Sequence, residues 1–151
     1  MNLIVLDTET SDLYPDQGAK ILELAWIELV LNDKTWERAN TFESYIQFDG
    51  IMNVHARAVN HIDPVMCTAE LGAIPREDAI QCLLGNVYND TIVVAHNAEF
   101  DSKFIPELKC PWICTMRSAK HVWPQAPGYS NQVAAMRKRA WKAPVDRLKK
   151  L

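Results

Sequence analysis

Two short stretches carry side chains that could do chemistry together. In Asp7-Thr8-Glu9, two carboxylates follow the apolar run Leu3-Ile4-Val5-Leu6. On an extended chain, residues i and i+2 point to the same side, so both charges crowd one spot. Like charges that close need a counter-charge or a raised pKa. A divalent cation is the simplest answer, and Mg2+ and Mn2+ favour such oxygen ligands while keeping several waters. Read alone, an acidic strand end facing water is the plainer interpretation. The second stretch is His96-Asn97-Ala98-Glu99-Phe100-Asp101, which follows the β-branched run Thr91-Ile92-Val93-Val94-Ala95. His96 and Asn97 would be donors at the exit of a buried strand. Asp101 would lie about one turn into the helix that follows, facing back toward the sheet. Singly, His96 suits a loop, Asn97 a helix cap and Phe100 a core. Together they are far more specific. Cys110, Cys114 and His121 offer a zinc alternative, but no CxxC pair supports it.

The rest of the chain must hold these stretches in place. At 151 residues it fits one domain with one substantial core, and 48% hydrophobic with 23% charged residues excludes a mainly disordered or fibrous chain. No apolar run approaches the ~20 residues a membrane span needs. The start reads as a strand, not a signal peptide, and four cysteines are too few for a disulfide framework. Both point to a reducing cytoplasm. Strands are expected at Leu3–Asp7, Ile21–Leu31, Phe42–Phe48, Thr91–Ala95 and Trp112–Thr115, the last one buried. A helix is expected from Pro75 as its first residue, with Ala79, Ile80, Leu83, Leu84 and Val87 as its apolar stripe. Further helices are expected over Glu99–Leu108, broken at Pro106, over Met116–Trp123, and from Asn131 behind Ser130 as cap. Three strands followed by alternating helices and strands imply a mixed α/β sheet with helices on its faces.

Leu6-Asp7-Thr8-Glu9-Thr10 and Ala95-His96-Asn97-Ala98-Glu99-Phe100-Asp101 resemble the first two motifs of the DEDD-type, DnaQ-like 3′→5′ exonucleases. Cys114-Thr115-Met116-Arg117 through Tyr129-Ser130-Asn131-Gln132, with Trp123-Pro124 between, looks most like the exonuclease X and ribonuclease T branch. The resemblance spans roughly residues 2–133. It implies a ribonuclease H-like five-stranded sheet, strands 1–3 antiparallel and strands 4 and 5 parallel to the first, flanked by helices. It also implies that Asp7, Glu9 and Asp101 are catalytic metal ligands for two Mg2+ or Mn2+ ions about 4 Å apart. Thr8 and Thr10, through their backbone groups, and the Leu13 side chain match positions that pack against the terminal nucleotide. His96, Asn97 and Phe100 are expected to help position the strand. The implied substrate is single-stranded nucleic acid with a free 3′ end, DNA ahead of RNA. A second copy of the chain is left open as a partner.

One element of the family pattern is missing. The third motif is a histidine followed five residues later by the fourth aspartate. Here His55 meets Asn60, His61 meets Met66 and His121 meets Ala126 at that spacing. Only His96 meets an aspartate, Asp101, already used. Asp146 has Trp141 where the histidine should stand. Residues 1–133 are therefore read as the exonuclease domain and 134–151 as a basic tail, truncated or frame-shifted. Residues 137–151 hold seven cations against Asp146, net +6, in a chain of formal net charge −3. Such a segment can attract nucleic acid or be a solvated helix face. The readings carried forward are an exonuclease with impaired catalysis, a silent nucleic-acid-binding module, and a truncated remnant.

Overall fold

The computed structural model describes residues 1–125 and 128–129. The chain forms β1 (Asn2–Thr10), β2 (Ile21–Asn32), β3 (Thr35–Tyr45), α1 (Val54–Asn60), α2 (Arg76–Leu84), β4 (Thr91–Ala95), α3 (Ala98–Phe104), β5 (Trp112–Cys114) and α4 (Thr115–Val122). Short 3-10 turns lie at Pro15–Gln17, Pro64–Cys67 and Ala69–Leu71. The five strands make one sheet in the order β3-β2-β1-β4-β5. β1 pairs antiparallel with β2, and β2 with β3, while β4 runs parallel to β1 and β5 parallel to β4. This is the mixed sheet expected from the order of elements. The strand direction changes beside β1, so the carboxyl ends of β1 and β4 lie side by side. In open α/β sheets that is where ligands bind.

Strand alternation divides β1 into two sides. Asn2, Ile4, Leu6, Thr8 and Thr10 are buried, whereas Val5 and Asp7 reach solvent. Ile4 and Leu6 join Leu24, Trp26 and Val93 in a core closed by Ala79, Ile80 and Leu83 of α2 and by Phe104, Ile105 and Leu108. A smaller cluster of Leu22, Ile62 and Cys67 sits under the 3-10 turns, with Tyr45, Phe48, Met52 and Met66 against it. At the start of β1, buried Glu28 is balanced by the side-chain amides of Asn2 and Asn40.

Several expectations shift. β3 begins at Thr35, not Phe42, because Asp33 and Lys34 both adopt positive φ (42° and 74°) and close a two-residue hairpin. Its first seven residues are exposed, so no apolar alternation marks them. Phe48 lies beyond the strand, where Ile46 makes a lone bridge to Ile74. Pro75 caps α2 rather than opening it, and Val87 lies past its end. Trp112–Cys114 is not a buried strand. It is the edge of the sheet, and Ile113 is exposed. The expected last helix behind Ser130, the 133/134 boundary and Asp146 lie outside the described residues.

Leu83 is fully buried between α2 and the sheet. Leu83→Ala is expected to destabilise the fold by about 2–5 kcal/mol. Urea denaturation should show this as a lower midpoint at unchanged slope.

Candidate active site

The site begins with the second half of β1. Alternation sets Asp7 and Glu9 on the side away from the core, as the i, i+2 spacing predicts. The antiparallel register adds a third carboxylate, because Glu23 of β2 lies directly opposite Glu9. Like charges facing across a ladder repel. Glu9 is accordingly raised above the usual carboxylate range, first by burial, then by Asp7, Glu23 and Asp101. Asp7 reaches solvent, yet the surrounding sheet strips away enough water to raise it, with His96 acting the other way. Glu23 is raised by burial and by Glu43 and Asp7. In the sequence Glu23 is only a polar residue in an apolar strand, and nothing local marks it as part of the site.

Asp101 arrives from the opposite side of the sheet. It is 2% exposed. Its Oδ1 accepts from the Thr8 amide at 3.1 Å and from Thr8 Oγ1 at 2.7 Å. Thr8 points into the core, between the two outward acids. Burial pushes Asp101 up to about 6 despite these hydrogen bonds, which favour its charged form, and the Asp7 charge adds to the rise. α3 reaches this position through a sharp bend at Asn97, whose φ of 67° and ψ of 47° are left-handed. Asparagine tolerates that region better than most residues. Asn97 therefore turns the chain rather than capping with its side chain. His96, just before the bend, pairs Nδ1 with Thr115 Oγ1 at 3.0 Å and donates Nε2–H to the Tyr129 carbonyl.

The expected nucleotide contacts separate into two spaces. Glu9, Thr10, Leu13 and Phe100 line a cavity of about 480 Å3 together with Asp12, Asn53 and α1. Asp7 and His96 line a shallower cleft of about 330 Å3 with Val5, Ile27, Val94 and Thr115. Thr8 enters neither. Its amide and hydroxyl both donate to Asp101, so those two groups are taken up within the protein. The Thr10 carbonyl likewise accepts from Asn60 Nδ2 at 3.2 Å, while Thr10 Oγ1 donates to the Asp12 carbonyl. Asp7, Glu9 and Asp101 feel one another's charge, but the expected three-acid cage is not closed. Among the described residues no three His, Cys, Asp or Glu side chains stand together as one metal site. What the three acids do present is an oxygen-only donor set with uncompensated negative charge, which suits a hard divalent cation.

The chain is similar to known nucleases in both sequence and fold. The family model described as "Exonuclease" matches residues 4–139. Exodeoxyribonuclease 10 of Escherichia coli K12 is 32% identical over 129 residues, covering 85% of this chain and 51% of that protein. Ribonuclease T of Buchnera aphidicola subsp. Acyrthosiphon pisum is 37% identical over 113 residues, covering 68% of this chain and 50% of its own length. The chain thus spans about half the length of the curated relatives it matches. A solved structure of exonuclease X in complex with 5′ overhanging duplex DNA superposes with a TM-score of 0.69 at 31% identity, over 91% of this chain and 73% of that one. Escherichia coli exonuclease I bound to a dT13 oligonucleotide shares the fold alone: TM-score 0.64, 13% identity, 84% of this chain and 31% of that one.

The raised Asp101 pKa has a stability consequence of definite sign. An acid whose folded pKa lies above its unfolded value takes up protons on folding, so stability falls as pH rises through the interval between them. For Asp101 that interval runs from 3.8 to about 6. At about 1.4 kcal/mol per unit it amounts to roughly 3 kcal/mol. Metal-free Asp101→Asn is therefore expected to be more stable than the parent at pH 7.5, with the gain vanishing near pH 4. Urea unfolding in EDTA from pH 4 to 8 measures it. A gain independent of pH would contradict the assignment.

Proposed function

Because this chain belongs to the DEDD exonuclease family, we propose that it hydrolyses phosphodiester bonds from the 3′ end of single-stranded nucleic acid, DNA ahead of RNA, with a divalent metal. One observation carries the reading: Asp7, Glu9 and Asp101 lie in each other's field with all three pKa values raised. Such a group is poised to gain from cations. Asp7, Glu9 and Asp101 would hold them. Bound Mg2+ or Mn2+ would supply Lewis-acid stabilisation of charge on the scissile phosphate and an activated water.

The side chains around the acids fit the same reading. Leu13 and Phe100 offer apolar surfaces on the cavity that also contains Glu9, and apolar or aromatic contact with a base tolerates any sequence. His96 is held by Thr115 and Tyr129 at the mouth of the Asp7 cleft, where its ring moderates the Asp7 charge. Asn97 supports the site through its left-handed bend, which delivers Asp101 to Thr8. The preference for DNA is supported by the similarity to exodeoxyribonuclease 10 and to exonuclease X bound to DNA. None of the described helices is long and apolar enough to cross a membrane. The four cysteines are free thiols, in keeping with the cytoplasm as the place of reaction.

A second reading, binding without cleavage, is favoured by one observation. Within these 151 residues, His96 and Asp101 are the only histidine and aspartate at third-motif spacing, and they belong to the second motif. One assay separates the readings. A 5′-labelled oligonucleotide incubated with Mg2+ or Mn2+ should shorten as a ladder from its 3′ end. Asp7→Asn should lower the rate by more than about 100-fold, above the 10–100-fold typical of losing a group that only supports a metal ligand. Intact oligonucleotide at protein excess, with salt-dependent binding retained, would select the silent module.

A further inference from the structure

α1 is an odd element to find beside the acids. None of its seven residues is buried, and its valines, Val54 and Val59, stay exposed. It is held by polar bonds at both ends to the three residues that follow the catalytic half of β1. Asn53, at its start, makes two of them and caps the helix as well. Its amide donates to the Ser11 carbonyl at 3.0 Å. Its Oδ1 accepts from the His55 amide at 2.8 Å, capping the helix. Its Nδ2 donates to Asp12 Oδ2 at 2.9 Å. Asn60, at the other end, donates Nδ2 to the Thr10 carbonyl and accepts at Oδ1 from the Ile62 amide. The other Asp12 oxygen accepts from the Leu13 amide at 2.7 Å. Asp12 therefore grips Leu13 with one oxygen and α1 with the other. These bonds pull its pKa below the usual carboxylate range, the Asn53 bond most and the Leu13 amide next.

Leu13, α1 and Phe100 are walls of the 480 Å3 cavity that opens on Glu9, and the Asp12–Asn53 bridge lines it between Leu13 and α1. Leu13 is 59% exposed, so packing does not hold it in place. We infer that Asp12 and Asn53 are positioning residues: their bridge fixes the Leu13 wall against the α1 wall and so sets the width of the seat for the terminal base. The inference rests on the exonuclease reading, which supplies the terminal nucleotide as occupant. The Asn53 side chain can cap with its oxygen and donate with its nitrogen at once. An aspartate in its place would cap as well but would meet Asp12 with like charge.

The chemistry can be exchanged across the bridge. Asp12→Asn alone sets two NH2 groups against each other, and Asn53→Asp alone sets two carboxylates. In the double variant, Asp12→Asn with Asn53→Asp, the introduced amide donates to the introduced carboxylate, while the Leu13 and His55 amides keep their acceptors. The readout is fluorescence anisotropy of a 5′-labelled (dT)5, normal or abasic at its 3′ residue, with Ca2+ present, alongside the ladder assay with Mg2+ or Mn2+. The wild type is expected to favour the normal end by roughly tenfold, in the range of one lost base contact. Each single variant should lose most of that preference, and the exchanged pair should regain it. Loss of folding cannot imitate this pattern, since the preference is a ratio within one protein and the double variant must recover it. Single variants with the wild-type preference would overturn the inference. So would a wild type that shortens DNA yet binds both ends equally, and the exonuclease reading would then survive alone. A wild type that neither binds nor shortens would overturn both.

Discussion

One buried carboxylate joins the two halves of the site. Asp101 is almost without water, and its Oδ1 takes both donors of Thr8, a residue 93 positions earlier. Removing a carboxylate from water costs several kcal/mol unless hydrogen bonds and opposite charge compensate. The hydrogen bonds are present, and the group is still raised to about 6. The remaining deficit is one of charge. It is shared with Asp7 and Glu9, which are raised for related reasons. The fold thus gathers negative charge at the end of β1 at the expense of its own stability. That pattern is common where function, not folding, sets the residues.

The sheet makes this gathering possible by giving β1 two different sides. Even-numbered residues from Ile4 to Thr10 face the core, and odd-numbered Asp7 and Glu9 face away. A slip of one residue against β2 would exchange the sides, burying both acids and exposing Ile4 and Leu6. The core contacts of Ile4, Leu6, Leu24 and Val93 therefore fix the register that aims the acids. β4, parallel to β1 and next to it, then delivers His96 beside Asp7 and, through the left-handed bend at Asn97, Asp101 beside Thr8. The second stretch needs that bend because a helix running straight on from β4 would not return to β1.

What could be read from the sequence was local. Thr91–Ala95 is β-branched, short and bounded by polar residues, and it is a strand over those same five residues. The sheet's mixed direction followed from the order of elements and the family resemblance together. Asp7 and Glu9 on one side followed from the period of a strand. α1 was missed because Val54–Asn60 buries none of its residues in the core; long-range polar bonds to residues 10–12 hold it instead. The partners of Thr8 were hidden for the same reason. Its type and position suit contact with substrate, and the sequence gives no sign that its two donors go to a residue from another element. The place of Asp101 relative to the other two acids was not legible: periodicity places side chains within an element, and nothing in it says how a later helix will meet the sheet.

The position of α1 bears on how a nuclease of this shape would choose its bond. The cavity beside Glu9 is bounded by Leu13, Phe100 and α1, and α1 is bonded at both ends to the segment leaving β1. A chain passing straight through would have to break those bonds. A chain that stops there would not. A seat that ended at this wall would admit a terminal nucleotide and refuse an internal one, so a preference for ends would follow from a wall rather than from any group that recognises a hydroxyl. It also explains why that wall is held by hydrogen bonds instead of packing. Even its valines, Val54 and Val59, stay exposed to water and bury little, while its position must hold against whatever the seat receives.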